Sequence, residues 1–300
     1  MHPALLGKTW LTRPLFWVEL FAIGNIGFLA VDVAFAHEMN AFEHPAEYIP
    51  VAFSLACAPL LLFAMWLGGP EPSPRGRLRD GSPLSRSSLA WWIGMAVGWG
   101  SVLVGVAGLV LHLRGDFFEE MTLKNLVYTA PFAAPLAYAG LGLLTILNRM
   151  VDARSREWAE WVVVLAAGGW AGNFVLSLAD HAQNGFYYPS EWASVVASAI
   201  AFGFLCGVLT VPDDRRLRYA AAGIMALQIV VGLVGFALHV AANLMRPTAS
   251  LWFSFLYGAP AFAPLLFADL AILGLLGLSA LAVCEASQPD EAAQPEAEAA

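Results

Sequence analysis

The sequence predicts an all-α polytopic membrane protein whose eight transmembrane helices form two parallel four-helix repeats. Composition is the first reason, because 59% hydrophobic residues, 13% charged residues and a mean hydropathy of +0.66 exclude a water-soluble globule. The second reason is a series of apolar runs of about 20 residues, the length that crosses a bilayer. The third is that motifs of the first half recur in the same order in the second half.

The apolar runs define the predicted spans. Lipid offers no hydrogen bonds to the backbone, so each span must pair its own polar groups, and none of the runs alternates like a barrel strand. A closed helical bundle is therefore expected. The eight predicted spans lie near residues 14–36, 50–68, 89–111, 126–148, 158–180, 192–211, 219–240 and 251–283.

The domain boundaries follow from the motifs and from two polar segments. The predicted repeats cover residues 1–150 and 151–284. Residues 69–88, rich in Pro, Gly, Ser and Arg, are predicted to form a solvated cytoplasmic loop within the first repeat. Residues 285–300 consist mainly of Ala, Glu, Pro and Gln with nothing to bury, which predicts a disordered acidic cytoplasmic tail. That tail carries much of the net charge of −8.

Basic residues predict the orientation, because loops rich in Lys and Arg stay on the cytoplasmic side. Only Arg114, Lys124 and Arg246 fall on the other side, so both termini are expected in the cytoplasm. The short loops and Ala-rich composition indicate a bacterial plasma membrane, the inner membrane. The basic residues on the predicted cytoplasmic side are Lys8, Arg13, Arg75, Arg77, Arg79, Arg86, Arg149, Arg154, Arg156, Arg215, Arg216 and Arg218.

Three motifs indicate an internal duplication. Each half contains an even number of predicted spans, so the two copies should cross the membrane in the same direction, as parallel repeats do. The matched motifs are residues 37–47 with 181–191 (H-x-x-N-x-F-x-x-P-x-E), 104–112 with 231–239 (V-G-x-x-G-x-x-L-H) and 128–135 with 257–264 (Y-x-A-P-x-x-x-P).

The duplication predicts an outward-facing site of histidines and glutamates. Four imidazoles end outward-running helices, and one glutamate per half follows at the start of the next helix. Imidazole together with carboxylate suits zinc, iron or copper, and a nearby amide can hydrogen-bond the ligands from behind. The predicted metal ligands are His37, His112, His181, His239, Glu47 and Glu191, with Asn40 and Asn184 as their outer partners. A membrane metalloenzyme is one form of this prediction, and whether the protein is an enzyme is left open.

A b-type haem protein is the first alternative. His37 with His112, and His181 with His239, would then be pairs of axial ligands, which suits electron transfer. Gly105 and Gly108 precede His112 on the same helix face, and this spacing is expected to clear room beside the imidazole. The second half repeats the spacing.

Two further interpretations compete with a cofactor site. The first is a transporter whose central cavity uses Asp32 and Asp269, since ionisable residues inside a span indicate substrate or proton pathways. The second is purely structural, because prolines and glutamates of the repeated motif suit the first turn of a helix and histidines suit its last turn.

Several classes of function are excluded or disfavoured. The chain contains no phosphate loop, dinucleotide glycine pattern, nucleophile elbow or H-E-x-x-H helix. The positions of the basic residues are explained by membrane topology, so no nucleic-acid partner is expected. The lipid bilayer is the predicted partner.

Overall fold

A computed structural model describes residues 13–68, 86–114 and 116–286. Throughout these residues the regular structure is helical, which confirms the predicted class of helical, multi-pass membrane protein. Most of the predicted loop 69–88 and of the predicted tail 285–300 falls outside the described residues. Their described parts are helical, because α3 begins at Arg86 and α11 continues to Ala286.

Eleven helices follow one another in the described residues, and short 3₁₀ turns at Pro45–Glu47 and Pro189–Glu191 precede α2 and α8. In chain order the helices are α1 (Pro14–Glu38), α2 (Tyr48–Leu67), α3 (Arg86–Arg114), α4 (Asp116–Glu119), α5 (Leu123–Tyr128), α6 (Leu136–Met150), α7 (Arg156–Gln183), α8 (Trp192–Thr210), α9 (Arg215–Met245), α10 (Leu251–Leu256) and α11 (Leu265–Ala286).

Seven described helices are long and apolar enough to cross a membrane, and α6 is a shorter apolar helix of 15 residues. The expectation of eight continuous spans is therefore corrected at the fourth run, 126–148, which divides into α5, a non-helical segment and α6. The eighth run, 251–283, divides in the same way into α10 and α11. Prolines explain both breaks, because proline lacks the backbone N–H of a helix and clashes with the preceding turn.

The packing order is the same on both sides of the loop that joins α6 to α7. In the first half α1 packs on α2, α2 on α3, α3 on α6 and α6 on α1. In the second half α7 packs on α8, α8 on α9, α9 on α11 and α11 on α7. The halves meet where α1 contacts α11 and where α6 contacts α7.

The helices α1, α3, α7 and α9 all finish at one end of the bundle, which is called the histidine end below. The largest cluster of buried apolar residues joins the two halves towards the opposite end, where Val18 and Ala22 of α1 pack with Leu144 of α6 and Trp158 of α7. Because this core spans both halves, it fixes their relative position beneath the histidine end.

A buried ion pair reinforces the opposite end. Glu19 is fully buried and binds Arg149 through contacts of 2.6 and 3.2 Å, while the Asn148 amide donates to the same carboxylate at 2.8 Å. The indole N–H of Trp158 donates to Asn148 at 3.2 Å, which extends the network into the second half. Removing one partner of such a pair costs about 3–5 kcal/mol, because the remaining charge stays buried.

Candidate functional site at the histidine end

The repeated H-x-x-N-x-F motif folds into the same helix end in both halves. The carbonyl of His37 accepts hydrogen bonds from the backbone N–H groups of Asn40 and Phe42, each at 3.1 Å. The carbonyl of His181 accepts the corresponding bonds at 3.2 and 3.0 Å. Phe42 and Phe186 adopt left-handed backbone conformations with φ of 50° and 51°, which is uncommon for a residue other than glycine. The chain therefore reverses sharply directly after each histidine.

An aromatic pair holds each reversed chain against the start of the next helix. The rings of Phe42 and Tyr48 stack with centroids 4.3 Å apart, and those of Phe186 and Trp192 stack at 3.9 Å. The stacking returns Glu47, which directly precedes Tyr48, to the side of the histidine. A stacked pair of this kind contributes about 0.5–1.5 kcal/mol beyond its buried area.

Each half brings a histidine and a glutamate of the motif together. His37 Nδ1 lies 3.2 Å from Glu47 Oε2, and these side chains are 19% and 15% exposed. His181 Nδ1 lies 3.6 Å from the corresponding oxygen of Glu191. The sequence placed these residues in one predicted ligand set, and the helix reversal is the physical reason for the two contacts.

The two glutamate oxygens at these contacts are buried and accept no hydrogen bond in the described structure. The other oxygen of Glu47 accepts the backbone N–H of His44 at 3.2 Å, so only one oxygen caps the turn. A charged hydrogen bond of good geometry is shorter, about 2.7–2.9 Å. Two ligand atoms bound to one metal at about 2 Å each, in tetrahedral geometry, lie about 3.3 Å apart. The observed spacing therefore suits two ligands of one cation.

The second histidine of each half is held by a proline carbonyl. His112 Nδ1 lies 3.0 Å from the carbonyl oxygen of Pro131, and His239 Nδ1 lies 2.8 Å from that of Pro260. Both carbonyls belong to the non-helical segments that interrupt the fourth and eighth apolar runs. An accepting carbonyl assigns the proton to Nδ1 and leaves the lone pair of Nε2 for a metal, as is usual for a ligating histidine.

The glycines before these histidines serve close helix packing. A Cβ added to Gly108 would lie 2.7 Å from Pro135, and one added to Gly235 would lie 2.8 Å from Pro264. Gly105 is equally crowded, because its added Cβ would lie 2.8 Å from the Pro135 carbonyl oxygen. The expectation that these glycines clear room for a porphyrin is therefore wrong, because the proline segments fill that room.

The two imidazoles of the first half are neighbours. The ring centroids of His37 and His112 lie 6.2 Å apart, with their planes at 75°. In the second half, His239 lies within electrostatic range of His181. The described residues contain no group of three or more His, Cys, Asp or Glu side chains already placed around one metal position. Each half thus offers a histidine and glutamate at ligand spacing, and in the first half a second imidazole lies beside them.

The predicted outer partners have a different role from the one expected. The amide of Asn184 donates to the backbone carbonyl of Asp180 at 3.4 Å, and the backbone N–H of Asn40 bonds to the end of α1. Both asparagines therefore lie where the helix ends. Among the described contacts, neither side chain bonds to a candidate ligand.

A large cavity extends from the candidate ligands into the bundle. It has a volume of about 3660 Å³, and its lining includes all four histidines together with Glu47 and Glu191. Asp32 and Asp269 also line it, and Asp269 accepts a hydrogen bond from Asn25 at 2.8 Å.

Sequence reasoning missed two features of this end. The repeated Y-x-A-P motif indicated only the duplication, whereas the carbonyls of Pro131 and Pro260 position the second histidines. Asp180, which directly precedes His181 and lines the cavity, was not singled out. The repeated Y-x-A-P motif predicts where the prolines lie in the chain. It does not predict which carbonyl oxygen faces the histidine, because that depends on the tertiary contact between α3 and the interrupted fourth run.

No known protein family, curated protein or solved structure matches this chain.

Proposed function

We propose that this protein binds a transition-metal ion at each of two equivalent sites at the histidine end. The first site comprises His37, Glu47 and His112, and the second comprises His181, Glu191 and His239. The observation that carries the proposal is the matched pair of buried glutamate oxygens, each without a hydrogen bond and each beside a histidine nitrogen.

A buried carboxylate oxygen that lacks a hydrogen bond costs free energy, and a buried charge must be paired or must coordinate a metal. One such oxygen has many explanations, but the same atom of the corresponding glutamate in both halves favours a common role. A cation bound at each site would satisfy the glutamate oxygen there, and imidazole supplies the neutral ligand beside it.

The ligand set favours zinc, iron or copper. Imidazole and carboxylate together suit these ions, whereas calcium and magnesium prefer oxygen ligands. In the described residues the histidine–glutamate pair of each half supplies two ligands at coordination spacing, and coordination by the second histidine would give three. Three protein ligands would leave one position for water or a substrate, as in catalytic zinc sites, so a membrane metalloenzyme is the proposed form of this function.

Two parallel four-helix repeats are part of the same proposal. Support comes from the equivalent packing order of the two halves, the paired histidine–glutamate contacts and the paired bonds to Pro131 and Pro260. In this arrangement α6 and the preceding non-helical segment form the fourth pass. Irregular backbone is tolerated at membrane depth where it is buried in protein or lines a cavity.

The proposed setting is a bacterial plasma membrane with the histidine end outside and both termini in the cytoplasm. The partition of basic residues supports this orientation. Single cysteines introduced at Arg216 and at the exposed Tyr187, after replacement of the native cysteines, test it. A reagent that cannot cross the membrane should label position 187 and spare position 216 in intact cells. Labelling at position 216 alone would show that the protein has the opposite orientation.

Stoichiometry tests the two-site proposal. The wild-type protein, purified without chelator, should retain up to two equivalents of metal through gel filtration. His37→Ala and His181→Ala should each remove about one equivalent, because each disables one site. His44→Ala is the matched control, since His44 lies in the same turn but outside the proposed ligand set. Equal metal content in all four proteins would contradict the proposal, and a Soret band would assign the imidazoles to haem b.

A further inference from the structure

The cavity between the halves has room for a ligand beyond the two candidate sites. Its volume of about 3660 Å³ exceeds the roughly 300–1,000 Å³ of an ordinary small-molecule site. Much of its wall is apolar and comes from both halves, including Phe28, Leu103, Leu165, Val234 and Phe262. A ligand with a large apolar body would therefore fit between the repeats.

Glycines keep this space wide on facing helices. A Cβ added to Gly24, Gly140, Gly168 or Gly172 would meet no atom within 4 Å, and all four glycines line the cavity. They contrast with Gly108 and Gly235, whose positions are crowded by proline. The crowded glycines therefore allow close helix packing beside α6 and α11. The open glycines instead leave accessible volume between the halves.

The charged groups that face the cavity are mostly acidic. Two basic residues line it, and both lie at the histidine end, where Arg114 ends α3 and Arg246 follows α9. Arg246 also donates to the carbonyl of Tyr257. The carboxylates that line the cavity are Asp32, Asp180, Asp269, Glu47 and Glu191.

Two of these carboxylates lie below the histidine end. Asp32 precedes His37 by five residues, about 7.5 Å along a helix, and has no hydrogen-bond or ion-pair partner among the described residues. Asp269 bonds to Asn25, which precedes His37 by twelve residues, or about 18 Å. A carboxylate facing apolar walls is unfavourable unless a proton or a cation neutralises it.

We propose that this cavity binds a lipophilic organic cation. The apolar body of the ligand lies between the two halves, and its positive charge lies near Asp32 and Asp269. A neutral lipid would offer neither carboxylate a counter-charge and would leave both dependent on protonation. An anionic amphiphile would meet Asp32, Asp180 and Asp269, and would find guanidinium groups only at the histidine end. This site is distinct from the two proposed metal sites, and the inference does not depend on them.

Two probe ions of the same shape and opposite charge provide the test. Tetraphenylphosphonium and tetraphenylborate are dialysed separately against the purified full-length protein in detergent micelles, with protein-free micelles as the reference. We expect saturable binding of tetraphenylphosphonium at least about tenfold tighter than binding of tetraphenylborate, equivalent to about 1.4 kcal/mol. Equal binding of the two ions, or no saturable phosphonium binding, would overturn the proposal.

Variants assign the binding to the cavity. Asp32→Asn and Asp269→Asn should each weaken phosphonium binding about tenfold, and Gly140→Phe should block it by filling the space. Gly223→Phe is the matched control, because Gly223 also has no atom within 4 Å of an added Cβ but does not line the cavity. Unchanged binding in both aspartate variants would overturn the proposal even if Gly140→Phe fails to fold.

Metal content separates this inference from the proposed function. Asp32→Asn and Asp269→Asn should keep the wild-type metal stoichiometry, whereas His37→Ala should lose metal and keep phosphonium binding. If no sample contains metal but the aspartate variants weaken phosphonium binding, the cavity site is supported and the two metal sites are contradicted.

Discussion

Glu19 and Glu47 are both poorly exposed glutamates near helix ends, but they differ in the groups that surround their carboxylates. At the opposite end of the bundle, Glu19 receives hydrogen bonds from Arg149 and Asn148, so its charge is balanced within the protein. At the histidine end, one oxygen of Glu47 is buried without any hydrogen bond, and Glu191 repeats this. Burial alone therefore does not identify a functional carboxylate. The proposed metal sites rest on the further observation that these two oxygens lack a hydrogen bond.

The two halves add a second comparison. Both place the histidine beside the glutamate and both hold the second histidine on a proline carbonyl, although the first-half contact is shorter, 3.2 Å against 3.6 Å. The two halves reach the same geometry with different residues, such as Tyr48 in one half and Trp192 in the other. What they share is therefore the contact between histidine and glutamate. We expect the first-half site to bind metal at least as tightly as the second.

The largest expected effect comes from breaking the balanced pair at the opposite end. Arg149→Met should destabilise the protein by about 3–5 kcal/mol, because it leaves Glu19 buried without its cation. Thermal unfolding in detergent measures this loss. Arg156→Met is the control, since Arg156 pairs with Glu160 on the partly exposed surface, where ion pairs contribute about 0–1 kcal/mol. Equal stability of the two variants would show that the buried pair has no special structural role.

The next effect sharpens the comparison at the histidine end. Glu47→Gln together with Glu191→Gln should weaken metal binding at least about 10- to 100-fold, while stability changes little because the amide keeps much of the capping geometry. Metal analysis after dialysis against a graded chelator series measures the affinity. Full metal retention would assign both glutamates to capping and would make the two ends of the bundle equivalent.

Sequence and structure agree where the signal is local. Hydropathy over windows of about 20 residues reports burial in lipid, so the helical membrane class was predictable. The same windows do not register Pro131 or Pro260, and the broken fourth run was therefore predicted as one helix. The ion pair of Glu19 with Arg149 joins residues far apart in the chain, which no periodicity reveals. The histidine–glutamate contacts were predictable because the motif folds back within eleven residues.

A smaller effect distinguishes the two kinds of glycine. Gly108→Ala should cost about 1–3 kcal/mol, because its added Cβ would lie 2.7 Å from Pro135 and would push away the segment that holds His112. Gly203→Ala is the control, since an added Cβ there meets no atom within 4 Å. The unfolding temperature and the metal affinity should both fall for Gly108→Ala and should stay unchanged for Gly203→Ala. Similar behaviour of the two variants would show that the α3–α6 contact does not position the histidine.

The smallest expected effect concerns the aromatic pair that orients the glutamate. Phe42→Leu should lose about 0.5–1.5 kcal/mol of stacking with Tyr48 and should weaken first-half metal binding by less than the glutamate variants do. Phe63→Leu provides the control, because Phe63 stacks on Trp66 away from the candidate ligands. A metal loss that is equal in both variants would indicate a general loss of stability.

Metal analysis of the wild-type protein tests the central claim most directly. After purification without chelator and gel filtration, elemental analysis and an absorption spectrum of the same sample give the metal content and any haem signal. The two-site account predicts one to two equivalents of zinc, iron or copper per chain and no Soret band. A protein that is folded, and that contains neither stoichiometric metal nor haem even after incubation with these ions, would contradict it.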